Sequence, residues 1–325
     1  MLTRRAAIAL AGVVFLAPPR SAMAASLVLK VGVLAFGTVD WETAAIHRLG
    51  LDQTADLHIE SMKLASNDAA RIAFLGGGVD TIVSDLLWAA RMRGEGRDIV
   101  FLPFSATEGA LMVPAASPIK SVADLAGKRI GIAGGALDKS WLLLQAFAQQ
   151  QAGLDLTKTS TPAFGAPPLL SQKLEAGELD AALLYWNFCA RLEAKGFRRL
   201  VSADEMTRSF GIAGSIAYIG YVFDRSRTSL SVDTIDAFSG VSRKAKQALA
   251  TQDAIWADIR PLMQAGDDAS FAVLKRNFIA GIPRRPIEQE QADAAKLYTV
   301  LAGLGGVRLV GKTTTLPDGL YWTGR

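Results

Sequence analysis

The chain has 325 residues, half of them apolar and a fifth charged, with 30 glycines, 12 prolines and one cysteine. These proportions are those of globular chains and exclude the collagen-like, disordered and disulfide-scaffold classes, while the length holds two lobes of ordinary size. The net charge is +4, yet Arg4, Arg5 and Arg20 supply most of it, so the remainder is close to neutral and carries no footprint for nucleic acid or an anionic membrane.

Residues 1–24 read as a signal peptide: a positive start around Arg4-Arg5, an apolar stretch over 6–17, a Pro18-Pro19 break, and the small residues Ala22 and Ala24 two apart. The apolar stretch is shorter than the ~20 residues of a spanning helix, and no later segment is long and apolar enough. The expectation is a periplasmic protein with no stable membrane insertion after cleavage. Thr3-Arg4-Arg5 resembles a twin-arginine start without the aromatic residue usual after the pair, so both export routes stay open. Cys189 is alone, so no intrachain disulfide forms and stability must come from packing.

From residue 27, strand-like and helical runs alternate. Strands are expected at 28–36, 57–64, 79–84 and 99–104, with helices beginning near Asp40, at Ser66 and after the third strand. The strand runs are apolar on both faces, which argues for βαβ units and largely parallel sheets covered on both sides. The grammar repeats with strands at 111–114, 129–133 and 180–185 and helices at 138–152 and 169–176. Lys30-Val31-Gly32-Val33 recurs as Arg129-Ile130-Gly131-Ile132, Gly78-Val79-Asp80 has its counterpart in Gly177-Glu178-Leu179-Asp180, and Trp41 recurs as Trp141. Three matches in one order at nearly one offset point to two similar lobes. Strands at 199–201 and 216–223 follow, then helical periodicity over 231–304. The expected division is a first lobe of 25–107 and 212–325 and a second of 108–211, joined by crossings near 105–108 and 205–217.

Ligands of open α/β sheets bind beyond the carboxyl ends of the strands, so two facing lobes enclose a cleft and the loops after the strands carry the candidate residues. Trp41, Trp88, Trp141 and Trp186 stand at helix starts or just past strand ends and are expected to converge as an aromatic cage that stacks planar ligands and attracts cations. Each of them taken singly also fits simple packing against a sheet, and Trp256 and Trp322 read as packing residues. The loop Gly134-Gly135-Ala136-Leu137-Asp138-Lys139-Ser140 supports two readings: an anion site at the positive end of a helix, or a tight turn with Asp138 as the cap. Phe36, Gly37, Thr38 and Asp40 form the matching loop of the first lobe. Ser84 and Asp85 in one lobe, and Tyr185, Trp186 and Asn187 in the other, offer hydrogen-bonding groups, supplemented by Ser66, Asn67, Ser105 and Thr107. Arginine is missing from all these loops, and Lys139 is the sole cation against Asp40, Asp85 and Asp138. A neutral or cationic ligand is therefore served at least as well as an anionic one. His47 and His58 lack companions at metal-ligand spacing, Cys189 sits in an apolar helical stretch, and no carboxylate couple stands out. No catalytic residue, metal or cofactor is expected.

The run Ser117-Pro118-Ile119-Lys120-Ser121-Val122-Ala123-Asp124-Leu125-Ala126-Gly127-Lys128-Arg129-Ile130-Gly131-Ile132, with Ala176-Gly177-Glu178-Leu179-Asp180-Ala181-Ala182 and Gly78-Val79-Asp80, resembles solute-binding proteins of nitrate/sulfonate/taurine-type ABC importers. The likeness covers about residues 27–225. It implies the bilobal type II periplasmic-binding fold, with two parallel-rich α/β lobes, a two-strand hinge and a ligand cleft between them. It also implies a monomeric exported receptor, not an enzyme, whose partners are a small-molecule ligand and an ABC permease with a cytoplasmic ATPase. By the same resemblance the ligand loops fall at 36–41, 84–85, 134–141 and 185–187. The scarcity of cleft cations and the surplus of tryptophan depart from sulfonate and nitrate binders. An exported enzyme on the same fold and a periplasmic sensor or accessory protein are the alternative readings.

Overall fold

The computed structural model describes residues 27–212, 214–228 and 230–324. The expected signal peptide lies outside them. Among the described residues, β1 (Leu27–Leu34), β2 (Leu57–Leu64), β3 (Thr81–Asp85) and β4 (Ile99–Ser105) enter one sheet, and β5 (Gly109–Val113), β6 (Arg129–Ala133), β7 (Thr161–Gly165), β8 (Ala181–Tyr185) and β9 (Arg198–Ser202) form another. The chain then returns to the first sheet through β10 (Ile219–Asp224). The strand orders are β2-β1-β3-β10-β4 and β7-β6-β8-β5-β9. β1 pairs in parallel with β2 and β3, as β6 does with β7 and β8, whereas β10 and β5 run antiparallel to both neighbours. Each sheet is thus parallel-rich, as expected, with one antiparallel strand that makes it mixed. In each, the strand that arrives from the other unit is inserted against the direction of the other four.

The repeat is carried by backbone requirements. Helices Asn67–Leu75 and Pro167–Glu175, strands β3 and β8, and helices Leu86–Gly94 and Trp186–Ala194 each begin 100 residues apart. Gly77 (φ 80°) and Gly177 (φ 73°) occupy the left-handed region just past their helices, where glycine avoids the Cβ penalty. Three residues later, Asp80 donates its backbone N–H to Lys30 O at 2.8 Å and accepts the Lys30 N–H on Oδ2 at 2.8 Å. Asp180 makes the same pair with Arg129, at 2.9 and 2.8 Å. Each aspartate therefore closes the open end of a parallel strand pair, which gives the Gly-x-x-Asp phrase a structural meaning.

β7 was not foreseen from the sequence. Pro162 interrupts the run, and proline is tolerated here because β7 is an edge strand with a neighbour on one side only. In the first sheet the edge strand β4 is covered by the tail: Phe101 donates its N–H to Leu320 O at 2.7 Å and accepts the Trp322 N–H at 2.9 Å. The helical region after β10 consists of Val232–Thr251, Asp253–Ile259, Asp268–Ala280 and Ile287–Val310. Helix Ile287–Val310 packs against both Leu86–Gly94 and Lys139–Ala152, and helix Trp186–Ala194 packs against Asp268–Ala280, so the two sheet units are tied at the flanks as well as by the crossings. No described helix is long and apolar enough to cross a membrane.

Candidate functional site

Between the carboxyl ends of the two sheets lies a cavity of about 700 Å³. Phe36, Gly37 and Thr38 line it after β1, and Ser84, Asp85 and Trp88 after β3. From the other side come Gly134, Gly135 and Asp138 after β6, then Tyr185, Trp186 and Asn187 after β8. Two hydrogen bonds cross it: Asn187 Nδ2 donates to Phe36 O at 3.1 Å, and Asn67 Nδ2 donates to the Tyr185 hydroxyl at 3.4 Å.

The expected four-tryptophan cage is not what forms. Trp88 and Trp186 border the cavity, but Trp41 and Trp141 do not, nor does Ser140. The reason is helical periodicity. Trp41 shares the inward face of Val39–Arg48 with Ala45, and Trp141 shares that of Lys139–Ala152 with Leu144 and Ala148, all of them buried. Trp41 joins an aromatic core, its ring 5.8 Å from Trp186, 6.5 Å from Trp256 and 5.7 Å from Phe278, and its indole N–H donates to Leu262 O at 3.3 Å. Trp141 packs 6.4 Å from Phe164. The Ser140 hydroxyl donates to Glu108 Oε1 at 3.2 Å.

The cavity also holds more charge than the loops suggested. Arg71, Arg91, Glu108 and Arg308 border it together with Lys139. Arg71 sits in helix Asn67–Leu75, outside the loops; its Nη2 donates to Asp85 Oδ2 at 2.5 Å and its guanidinium lies 5.3 Å from the Trp88 ring centroid. The other Asp85 oxygen caps the following helix by accepting the Trp88 N–H at 2.9 Å. Burial works to raise the Asp85 pKa, but Arg71, Lys139 and that N–H outweigh it and hold the carboxyl below its ordinary value. Lys139 Nζ stands 2.7 Å from Glu108 Oε1. Burial pulls the lysine down, yet Glu108, Asp138 and Asp85 together hold it above its ordinary value, so it stays an ammonium.

Asp138 is the helix cap, accepting the Ser140 N–H at 2.9 Å, and the glycine loop before it makes room for that carboxylate. A Cβ at Gly134 (φ 99°) would lie 2.9 Å from Asp138 Oδ2. The helix start is thus occupied by an acid of the chain itself. Burial pushes Asp138 up to about 6, with Glu108 and Asp85 acting in the same direction and Lys139 and the Ser140 N–H opposing. The Tyr185 phenol is raised by burial and by Asp138 and stays protonated.

Elsewhere, Asp40 pairs with Lys63 at 3.7 Å, and His47 Nδ1 lies 2.6 Å from Asp52 Oδ2. Cys189 is fully buried, and burial pushes its thiol up to about 12. Among the described residues no cluster of histidine, cysteine and carboxylates could hold a metal ion.

Residues 67–254, more than half of the chain, match the family model described as NMT1/THI5 like. A search of the curated proteins found no match. Among solved structures, the chain is similar to the alkanesulfonate-binding protein of Xanthomonas axonopodis pv. citri bound to MOPS, with 18% identity over 92% of this chain and 99% of that one and a TM-score of 0.66. The periplasmic aliphatic sulphonate binding protein of Escherichia coli matches at 18% identity over 92% and 93%, TM-score 0.68. The ligand-binding component of an ABC-type import system from Staphylococcus aureus matches at 15% over 92% and 99%, TM-score 0.67. At these identities the likeness establishes the bilobal fold.

Proposed function

The chain belongs to the NMT1/THI5-like family, and from that premise we propose that it is an exported receptor that captures a small organic molecule between two lobes and delivers it to a membrane permease driven by a cytoplasmic ATPase. The lobes are 25–107 with 212–325, and 108–211, the first 24 residues being the signal removed on export to the periplasm, where the receptor acts as a monomer. The ligand loops are those after β1, β3, β6 and β8. The single observation that carries the reading is the cavity between the two sheets, crossed by the Asn187–Phe36 and Asn67–Tyr185 hydrogen bonds. The import-system and sulfonate-binding names of the structural neighbours support the same role.

Closure linked to occupancy requires only that a guest touching both lobes favour the closed state, with the crossings absorbing the rotation. No bond need be made or broken. Lys139, a candidate nucleophile bordering the cavity, is held as an ammonium against Glu108. The test is native mass spectrometry of the mature protein purified from a periplasm, followed by calorimetric titration with the molecule released and scattering with and without it. One small molecule per chain, released unaltered, with a smaller radius of gyration when bound, is the expected result. Chemical conversion of the guest would transfer the fold to an enzyme's role.

A further inference from the structure

We propose that the connection between helices Asp268–Ala280 and Ile287–Val310 is a clasp that grips both crossings between the lobes and limits how far the cleft opens; the inference rests on the receptor reading and adds the control of its motion. The first crossing is tied to the end of the earlier helix. Ala106 donates its N–H to Gly281 O at 2.8 Å, and the Thr107 hydroxyl donates to Asn277 O at 3.3 Å. The second crossing is tied to the connection and to the start of the later helix. Arg285 Nη1 donates to Ser215 O at 2.7 Å, and Glu290 Oε1 accepts the Ala217 N–H at 3.3 Å. Arg285 is itself held in place, its Nη2 donating to Asp293 Oδ2 at 2.8 Å. Glu290 and Ala217 are buried, so their bond is shielded from competing water.

Glycine marks both points of grip. A Cβ on Gly281 would overlap the Thr107 hydroxyl and lie 2.7 Å from Ser105 Oγ, and a Cβ on Gly214 would overlap the Arg285 guanidinium. Neither glycine has a positive φ, so what both positions require is closeness of approach. A hinge absorbs rotation in a few residues whose φ and ψ are free to change. Here Ser105 stands opposite Ile219 where β4 pairs with β10, so the crossings run side by side. The clasp bonds the residues that follow Ser105 and those that precede Ile219. Pro283 and Pro286, with φ fixed by their rings, stiffen the connection. The helices it joins also reach the second lobe, one against Trp186–Ala194 and the other against Lys139–Ala152. Rotation about the crossings therefore works against a support bonded to both of them, and wide opening has to break the clasp on at least one side.

The experiment uses the ligand-free mature protein and needs no guest. Spin labels are attached through Ile72→Cys and Leu169→Cys, exposed positions on one helix of each lobe, while the native Cys189 is buried. Pulsed electron resonance then reads the distribution of distances between them. Gly281→Ala crowds the first crossing, and Glu290→Met deletes the acceptor for the second at similar side-chain length. Each is expected to raise the ratio of long to short distances about three- to tenfold, the effect of losing one hydrogen bond from the closed form. Glu290→Gln keeps a carbonyl acceptor and is expected to restore the parent distribution. Asn187→Ala, which deletes the bond to Phe36 O across the cavity, is the control for motion itself. Clasp variants that lose stability in urea with their distances unchanged would be ordinary packing variants and overturn the clasp, as would a Gln variant as open as the Met one. If Asn187→Ala still lengthens the distances, the receptor reading stands without the clasp. No lengthening in any variant overturns the clasp and the closure together. Should Gly281→Ala fail to fold, the two Glu290 variants decide alone.

Discussion

The two lobes are built to one pattern and differ where it matters. Trp41 and Trp141 are both buried in the core, Gly77 and Gly177 both take left-handed backbone, and Asp80 and Asp180 both close a parallel strand pair. At the mouths of the sheets the copies part company. Asp85 caps its helix and holds Arg71, whereas Tyr185 in the same place caps nothing and accepts a hydrogen bond from Asn67 of the other unit. Thr38 begins its helix without a side-chain cap, where Asp138 caps its own and carries a raised pKa. What the repeat preserves is the scaffold, and the copies diverge at residues that line the cavity, where the proposed binding chemistry sits.

Substitutions can break that contrast, the largest effect coming from the repeated positions. Trp141→Ala removes a buried indole and leaves a cavity, so a loss of about 3–5 kcal/mol in urea denaturation is expected, with affinity for the co-purified guest nearly intact in the fraction that folds. Large loss of affinity with unchanged stability would restore Trp141 to the site and undo the distinction between copied and diverged residues.

Asp138 should behave in the opposite sense. Its folded pKa of about 6 exceeds the unfolded value, so the free protein binds the extra proton more tightly when folded. Its contribution is fully favourable below about 4 and is lost as pH rises to about 6. At pH 7 the ligand-free Asp138→Asn variant is therefore expected to be more stable by about 1–2 kcal/mol, discounting for solvent that reaches the cavity, and the gain should vanish near pH 4. A variant equally destabilised at both values would mean that Asp138 is a structural cap and nothing more.

The smallest effect belongs to Asn187→Ala, which deletes the hydrogen bond to Phe36 O. About 0.5–1.5 kcal/mol is the usual worth of such a bond, and it should appear as weaker guest binding and a more open ligand-free form in scattering. An unchanged scattering profile and affinity would show that closure does not depend on this contact.

Much of this was legible in the sequence, for reasons that also explain the misses. Strand runs covered by helices on both faces advertise themselves as continuous apolar segments, and the Gly-x-x-Asp phrase marks backbone geometry that few other residues satisfy. β7 escaped because an edge strand can hold Pro162 and half-exposed side chains, and so lacks the apolar signature of a central strand. The indoles of Trp41 and Trp141 were assigned to the cleft from chain position. Their direction follows instead from the i, i+3 and i+4 spacing of their buried neighbours. Arg71 had a weak local signal, five residues after the Ser66 cap in a helix that starts beside the cavity. Arg308 had none, because packing of a helix more than 200 residues away from β3 brings it there.

Trp186 divides its ring between two surroundings, one side bordering the cavity and another set edge-on to Trp41, in a helix seated against Asp268–Ala280. A guest entering the cavity, or a rotation that lifts that helix from its seat, alters the polarity and neighbours of one indole in a coupled group. The native chain therefore carries its own optical reporter, and a shift in ultraviolet emission can follow occupancy without any attached dye.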